Sequence, residues 1–320
     1  YMTSNSLDVA YKPSWLSMVA AMESQLSFMG KEADYDWISG ITGFAFRNAV
    51  EDQLLPGAFN FNFIWFDTFL SAYDRLGVCV EIISCHEHQL TFDAHQDLLW
   101  ERICQSVGNN LPPMVWENFE FGVVTGFDRE LANWECAGVQ GKLVHPKAKL
   151  GLGDVPFLFG AIPVKNVQFD KTQAATMALR VAVSVGFLSK PPYPTGYNAV
   201  IGVEAYRKWQ QELEKDFNLY GCSHLIQTLK DARGSASLFL AKVSELYDGV
   251  TSTLLMRASE RFAQVQHKLG EMSLLFPYPG EFKAGEIERS KGKEMLEDCY
   301  IMETEGLKLI ATAVERLDAK

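Results

Sequence analysis

The sequence predicts an α+β domain over residues 1–195 followed by an all-α antiparallel helical bundle over residues 196–320. Two observations support this fold class: the hydrophobic periodicity changes near residue 190, and a proline-rich segment lies at the same point. Before the change, short apolar runs alternate with Gly, Pro and Asn, whereas after it apolar residues recur about every 3.5 residues. Mixed strands and helices followed by helices alone indicate two differently built domains.

The first part contains both helix and strand patterns. Residues 15–29 place apolar side chains on one helical face, behind a possible cap at Ser14 and before a stop at Gly30. Residues 61–76 and 95–107 repeat this plan, and each is followed by a glycine. Short apolar runs predict strands over residues 78–83, 121–125 and 157–164.

The second part has the periodicity of packed helices. The segment 190–196 carries three prolines, which lack amide donors and fix φ, so we expect a domain boundary there. Beyond it, apolar seams predict three long helices and one shorter helix, over residues 225–246, 255–276, 295–313 and 206–217. The short breaks between them favour an antiparallel four-helix bundle, which could also join copies of the chain into a homo-oligomer.

Composition limits the partners and the compartment. The chain has 29 Lys+Arg against 40 Asp+Glu, a net charge of −11, so we expect neither nucleic acid nor a membrane surface as a partner. It has no apolar stretch of the roughly 18 residues that a spanning helix needs, and residues 1–5 do not have the pattern of a signal peptide. The six cysteines have irregular spacing, which favours free thiols and a cytoplasmic protein.

Metal and nucleotide motifs are weak in this sequence. His86 and His88 would share one face of a strand, with Asp93 and His95 nearby, but two ligands do not make a zinc site, so we expect no metal. Residues 151–154 are too short for a dinucleotide fingerprint, and no phosphate-binding loop or G-x-S-x-G elbow occurs. The sequence therefore predicts no cofactor.

Two charged residues occur in apolar surroundings. Arg47 follows a glycine and two aromatic residues, where a guanidinium needs a carboxylate or a ligand anion, so either a structural ion pair or a binding role is open. Glu120 opens an apolar strand and also needs a partner if it is buried. Arg47, a ligand cation or exposure at a sheet edge would each satisfy Glu120.

Two further stretches have a spacing that belongs to a known family. Ser17 lies thirteen residues before Gly30 in the first predicted helix, and the strand that Glu120 opens ends in Gly126-Phe127-Asp128. Together they resemble the papain-like fold of the butirosin-biosynthesis H-type acyltransferases and the related double-glycine-leader cysteine peptidases. In that family the helix carries a nucleophilic Cys thirteen residues before a Gly, and the strand runs from a general-base His to Gly-Tyr-Asp. Ser17, or Ser14 after a slip of three residues, stands where the Cys would be.

The resemblance implies a papain-like first domain whose catalytic triad has been replaced. It covers residues 10–170, and the helical bundle is also similar to that of butirosin-type relatives. Glu120 stands where the His would be, and residues 134–138 have no clear counterpart of the third triad member. A carboxylate of pKa ~4.3 is a weaker base than an imidazole of ~6.5, and a hydroxyl cannot supply a thiolate. Burial could raise the basicity of Glu120 but would not change the nucleophile.

The leading hypothesis is a catalytically degenerate or repurposed papain-like protein. Its cleft would bind a small polar metabolite, amine-bearing or peptide-like, near Ser17, Arg47, Glu120 and Asp128, with Ser17 and Glu120 as the candidate catalytic residues. The plain alternative for Ser17 is that it caps or packs its own helix. The first rival is an active acyltransferase or amidohydrolase of natural-product metabolism, and the second is a structural or oligomerisation module.

Overall fold

A computed structural model describes residues 2–192 and 198–319 of the chain. The helices are α1 (Ser17–Phe28), α2 (Tyr35–Thr42), α3 (Ala58–Phe61), α4 (Trp65–Arg75), α5 (Phe92–Gly108), α6 (Lys171–Phe187), α7 (Glu204–Glu212), α8 (Leu219–Ser244), α9 (Gly249–Leu275) and α10 (Glu286–Asp318). The strands are β1 (Ser4–Ser6), β2 (Ala49–Val50), β3 (Val78–Cys85), β4 (Met114–Glu117), β5 (Glu120–Asp128), β6 (Asn133–Gly138), β7 (Gly141–Pro146), β8 (Leu158–Asn166) and β9 (Val200–Ile201). Short 3₁₀ helices occupy Phe44–Phe46, Asp52–Leu54 and Lys147–Lys149.

The residues group into two compact units that are each discontinuous in sequence. The first unit comprises Tyr1–Ile38 and Phe69–Phe169, and the second comprises Ser39–Thr68 and Asp170–Lys320. This grouping differs from the sequence division near residue 195, because α6 packs along α10 and the 3₁₀ helix Phe44–Phe46 packs on α8. Most of the proline-rich boundary segment, from residue 193 onward, lies outside the described residues. The domains 1–195 and 196–320 stay a prediction.

The first unit is built around one antiparallel sheet. Its strand order is β3-β8-β4-β5-β6-β7, and β1 pairs with β5. The predicted strands over residues 78–83, 121–125 and 157–164 are confirmed, because they coincide with parts of β3, β5 and β8, and only residue 157 lies just before its strand. Helices α1 and α5 both pack against β5. The sheet therefore positions the start of β5 against the start of α1.

Helix α1 confirms the predicted helix over residues 15–29, but its cap is different from the expected one. The residue before the helix is Leu16, and Ser14 Oγ donates a hydrogen bond to the Leu16 carbonyl at 3.1 Å instead of capping the helix amides. The chain then leaves the helix through Gly30, whose φ of 73° lies in the left-handed region that glycine adopts at little cost. The predicted cap at Ser14 is therefore wrong, and the predicted stop at Gly30 is confirmed.

The second unit is helical, with one short antiparallel pair of strands, β2 and β9. Helices α8, α9 and α10 match the three predicted seams, and α7 matches the shorter helix. Helix α8 packs along α9, and α9 packs along α10, while α6 and α7 pack on α10. The α+β class with a C-terminal helical region is thus confirmed. Within the described ranges, the helices are all too short or too polar to cross a lipid bilayer.

One ionic network lies inside the second unit. Arg233 and Glu303 are fully buried, and the guanidinium meets the carboxylate through two hydrogen bonds, Nε to Oε2 at 2.7 Å and Nη2 to Oε1 at 2.6 Å. Arg233 Nη1 also donates to the carbonyls of Ala45 and Arg47, at 2.9 and 2.7 Å. The hydroxyl of Tyr206 donates to Glu303 Oε2 at 2.7 Å. The network ties the segment before β2 to α8 and α10.

Candidate functional site

Ser17 and Glu120 meet where α1 and β5 begin. Ser17 is the first residue of α1 and Glu120 the first of β5. The Ser17 hydroxyl donates a hydrogen bond to Glu120 Oε2 and accepts one from the backbone N–H of Phe121 at 3.2 Å. The side chain of Ser17 is buried, and Glu120 is half-buried. The serine therefore joins the helix to the strand and does not cap its own helix.

The hairpin between β4 and β5 fixes the position of Glu120. Glu117 ends β4 and pairs directly with Glu120 across a two-residue turn. Asn118 in that turn has a φ of 60°, a conformation that Asn tolerates better than most residues. Residues directly opposite in an antiparallel pair share one face of the sheet, so the two carboxylates are neighbours. Like charges in such a pair are unfavourable, and the structure must compensate for them.

The carboxyl group of Glu120 is shifted toward its neutral form. Burial raises its pKa, the hydrogen bond from Ser17 lowers it, and the nearby Glu117 raises it further, with a net rise above the usual value. A raised pKa makes Glu120 a stronger base than an exposed glutamate. The Glu120 carboxyl group accepts its hydrogen bond from Ser17.

Tyr11 completes the surroundings of this pair. Its hydroxyl donates to the carbonyl of Phe121 at 3.2 Å. Burial, followed by the charge of Glu120, raises the pKa of Tyr11 well above its usual range. Tyr11 therefore stays a neutral hydrogen-bond donor at every physiological pH. The start of β5 is thus surrounded by the Ser17 hydroxyl, the Glu120 carboxyl group and the Tyr11 phenol, and both hydroxyl groups already donate hydrogen bonds within the protein.

We expect the stability of the chain to depend on pH through Glu120. Because its pKa is raised in the folded state, the folded chain keeps a proton that the unfolded chain has already lost, and stability falls as pH rises above ~4.3 until the folded pKa is passed. Glu120→Gln removes this titration while keeping an oxygen for Ser17 to donate to. Urea unfolding over a pH series should show the variant gaining stability relative to wild type as pH rises.

The control is Glu81→Gln, because Glu81 is a partly exposed carboxylate of β3 that is ion-paired with Arg102 at 3.0 Å. It tests the loss of one charge from the same sheet away from the α1 junction. A difference between Glu120→Gln and wild type that stays flat with pH, or that has the opposite slope, would contradict the raised pKa.

Asp128 is not brought to Ser17 and Glu120. It is the ninth and last residue of β5, roughly 26 Å from Glu120 along the strand. Its Oδ1 accepts hydrogen bonds from the backbone N–H groups of Glu130 and Leu131, both at 2.9 Å. These bonds make Asp128 a turn residue. The expected grouping of Asp128 with Ser17 and Glu120 is therefore wrong.

Arg47 belongs to the second unit, where aromatic rings surround it. Its guanidinium lies 4.5 Å from the ring centre of Phe63 and 5.9 Å from that of Phe44, and Nη2 donates to Thr68 Oγ1 at 3.4 Å. It lines a cavity of about 20 Å³, which has room for a single water molecule. In the second unit Arg47 therefore has the contacts of a packed cation–π residue.

His86 and His88 contact each other, and the cysteines are free thiols. His86 and His88 stack on each other with ring centres 5.3 Å apart. Within the described ranges, no three His, Cys, Asp or Glu side chains converge as metal ligands would. All six cysteines are free, and only Cys79 is exposed among the described residues. Burial raises the pKa of Cys104 to about 11 and that of Cys222 to about 12, which disfavours a reactive thiolate.

A cavity of about 320 Å³ in the first unit was not anticipated from the sequence. Glu117 lines this cavity. It is the last residue of an apolar strand just as Glu120 is the first residue of one, so the same sequence pattern could have identified Glu117. The other contributors come from distant strands and turns. Its lining residues are Trp116, Glu117, Asn118, Trp134, His145, Lys149, Gly151, Leu152, Gly153 and Asp154.

No protein-family model matches the chain, and no curated protein matches its sequence.

Proposed function

We propose that the first unit is a papain-like domain in which Ser17 and Glu120 replace the nucleophile and the general base, and that it binds a small polar molecule without cleaving it. The observation that carries this proposal is the hydrogen bond from the Ser17 hydroxyl to the Glu120 carboxyl group. It joins the first residue of a helix to the first residue of a sheet strand, which is the arrangement that the family resemblance implies for its Cys and His.

The chemistry of the pair favours binding over catalysis. A Cys–His pair reacts through a thiolate that forms at modest cost near neutral pH. A serine hydroxyl is a far weaker acid, and Ser17 is 3% exposed, so a substrate carbonyl has little access to it. The raised pKa of Glu120 increases its strength as a base but leaves the weak nucleophile unchanged. Recognition of a polar group by Glu120 requires neither a thiolate nor an exposed serine.

The ligand we propose carries an amine or an amide N–H group. Glu120 faces Glu117 across the hairpin, and the chain as a whole is acidic, so a hydrogen-bond donor or a cation is favoured over an anion. A carboxylate in partly apolar surroundings gains more from such a partner than one in water does. The proposed ligands are therefore small amines and peptide-like amides.

Variants of the pair test this function. Glu120→Gln should weaken binding of amines in a panel of alkyl diamines and dipeptide amides, because the carboxylate charge is lost. Ser17→Ala should lower the binding free energy by only about 1 kcal/mol, the net contribution of one neutral hydrogen bond. Titration calorimetry of the full chain measures both, with Glu81→Gln as the matched carboxylate control. Equal affinity in Glu120→Gln and Glu81→Gln would contradict the proposal.

An active hydrolase or acyltransferase is the second candidate, and one observation favours it. The Ser17 hydroxyl donates its hydrogen bond to a carboxyl group whose pKa is raised. A nucleophile and its general base have the same relation. A fluorophosphonate probe distinguishes the two functions. Stoichiometric labelling of wild type that disappears in Ser17→Ala would make the protein a serine enzyme, and absence of labelling favours the binding protein.

We also propose a cytoplasmic location, since six free cysteines suit a reducing compartment. Homo-oligomerisation through the helical bundle stays a prediction that sedimentation analysis can test.

A further inference from the structure

We propose that the cavity beside the β4–β5 turn binds a small organic ammonium ion that carries a neighbouring oxygen acceptor, with Glu117 as its counter-ion. This second site is independent of the proposed function, because neither Ser17 nor Glu120 lines the cavity. Its volume, about 320 Å³, is in the range of pockets for small molecules. Strands β4, β6 and β7 and residues 151–154 form its walls.

Glu117 is the charged group of this site. It is 5% exposed, and its Oε1 lies 2.9 Å from Nε2 of His145. Their contact has the distance of an ion pair but not the alignment of a hydrogen bond, and neither atom has a hydrogen-bond partner among the described residues. Burying a carboxylate oxygen without a hydrogen-bond donor costs more free energy than one ordinary hydrogen bond contributes to stability. A ligand N–H donor at Glu117 Oε1 would remove that cost.

Trp134 supplies a second, independent observation. It is 2% exposed, it lines the cavity, and its indole Nε1 donor has no hydrogen-bond partner within the described part of the chain. Its ring packs on His145, with ring centres 4.7 Å apart. An indole N–H can only donate, so an ammonium group cannot satisfy it. The ligand therefore needs an acceptor oxygen as well as its cationic nitrogen.

The electrostatics of the cavity favour a cation over an anion. Glu117 and Glu120 lie directly opposite each other on neighbouring strands. A cationic ligand would reduce the repulsion between these two carboxylates. Burial is the main cause of the raised pKa of the Cys136 thiol, and the charge of Glu117 is the second cause. Trp116 and Trp134 provide aromatic walls, which attract organic cations through their ring faces. Lys149 is exposed among the lining residues, and its charge is accessible to water.

The walls of the cavity are held in place before any ligand binds. The Asn118 side chain donates to Asp154 Oδ2 at 3.0 Å, and its Oδ1 accepts from the Asp154 N–H at 2.7 Å. The N–H of Val155 donates to the Asn118 carbonyl at 3.1 Å. A Cβ at Gly153 would collide with the backbone of Asn118, so this glycine allows the close contact of the loop with the turn. A preformed site loses less entropy on binding.

Ethanolamine is the probe for this site, because it combines an ammonium group with one hydroxyl oxygen. Titration calorimetry of the full chain should show saturable binding that Glu117→Gln weakens by about tenfold or more, whereas Glu81→Gln leaves it unchanged. Trp134→Phe removes only the indole donor. It should weaken binding of ethanolamine but not of ethylamine, which lacks the oxygen.

The outcomes separate this site from the proposed one. Thermal unfolding of each variant shows whether it is folded, and ethylamine binding to Trp134→Phe verifies that the cavity is intact. Equal affinity of Glu117→Gln and Glu81→Gln for ethanolamine, or absence of saturable binding to wild type, overturns the inference. Loss of binding in Glu120→Gln with normal binding in Glu117→Gln also overturns it, and places the amine at the Ser17–Glu120 pair.

Discussion

Arg233→Met is expected to lower the free energy of unfolding by about 3–5 kcal/mol, because it leaves the carboxylate of Glu303 buried without its cationic partner. Both side chains are fully buried, and the two hydrogen bonds between them satisfy both carboxylate oxygens. The substitution also removes the donors to the carbonyls of Ala45 and Arg47. Chemical denaturation monitored by circular dichroism measures the loss.

The matched control is Arg261→Met on α9. Arg261 pairs with Glu305 at 3.0 Å, but these side chains are 39% and 49% exposed, so its loss should cost less than about 1 kcal/mol. The double variant Arg233→Met with Glu303→Leu should recover part of the stability, since neither charge is then buried alone. Similar costs for Arg233→Met and Arg261→Met would contradict the assigned role of the buried pair.

Phe121→Ala is expected to cost about 3–5 kcal/mol, because it removes the ring at the centre of an aromatic cluster. Phe121 is fully buried on β5, and its ring centre lies 5.2 Å from Phe69, 5.1 Å from Trp116 and 5.9 Å from Phe159. Its backbone N–H donates to Ser17 Oγ, so the loss of packing should also loosen the contact between α1 and β5.

Phe119→Ala is the control for this large effect. Phe119 lies two positions away in the β4–β5 turn and is 37% exposed, and its truncation should change stability by about 0.5 kcal/mol or less. The same denaturation experiment compares the two variants. A small loss for Phe121→Ala, comparable to that of Phe119→Ala, would show that the aromatic cluster does not hold the start of β5.

The helices could be predicted from the sequence because their apolar residues repeat over many turns. Helices α8, α9 and α10 are 26 to 33 residues long, and their apolar seams extend over enough turns for a helical period to exceed chance. Strand β7 is different, because its six residues are all exposed or half-buried and show no apolar alternation. Strand β4 has only four residues, all buried, which leaves periodicity undefined. Such strands are specified by their neighbours in the sheet.

The candidate site could be predicted only in part, for a related reason. The family resemblance matched Ser17 to the nucleophile and Glu120 to the general base, and in the structure these two side chains are hydrogen-bonded. The cavity residues Glu117, Trp134 and His145 lie on three different strands, and strand register makes them neighbours. No local pattern encodes that register. The grouping of Asp128 with Glu120 failed because both belong to one long strand and occupy its opposite ends.

We propose that positions 17 and 120 correspond to the nucleophile and the general base of a papain-like site. The most direct measurement compares two double variants, Ser17→Cys with Glu120→His and Ser17→Cys with Glu120→Gln, by the rate at which iodoacetamide alkylates the thiol introduced at position 17, followed at pH 7 by peptide mass spectrometry. Access to the buried position is the same in both, so the ratio of rates reports thiolate formation.

We expect the variant with histidine to react at least about tenfold faster, because an unpaired thiol of pKa ~8.5 is only a few per cent thiolate at pH 7, whereas an imidazole partner makes the thiolate the dominant form. Equal rates in the two variants would contradict it, since the two positions would then not have the geometry of a nucleophile and its base.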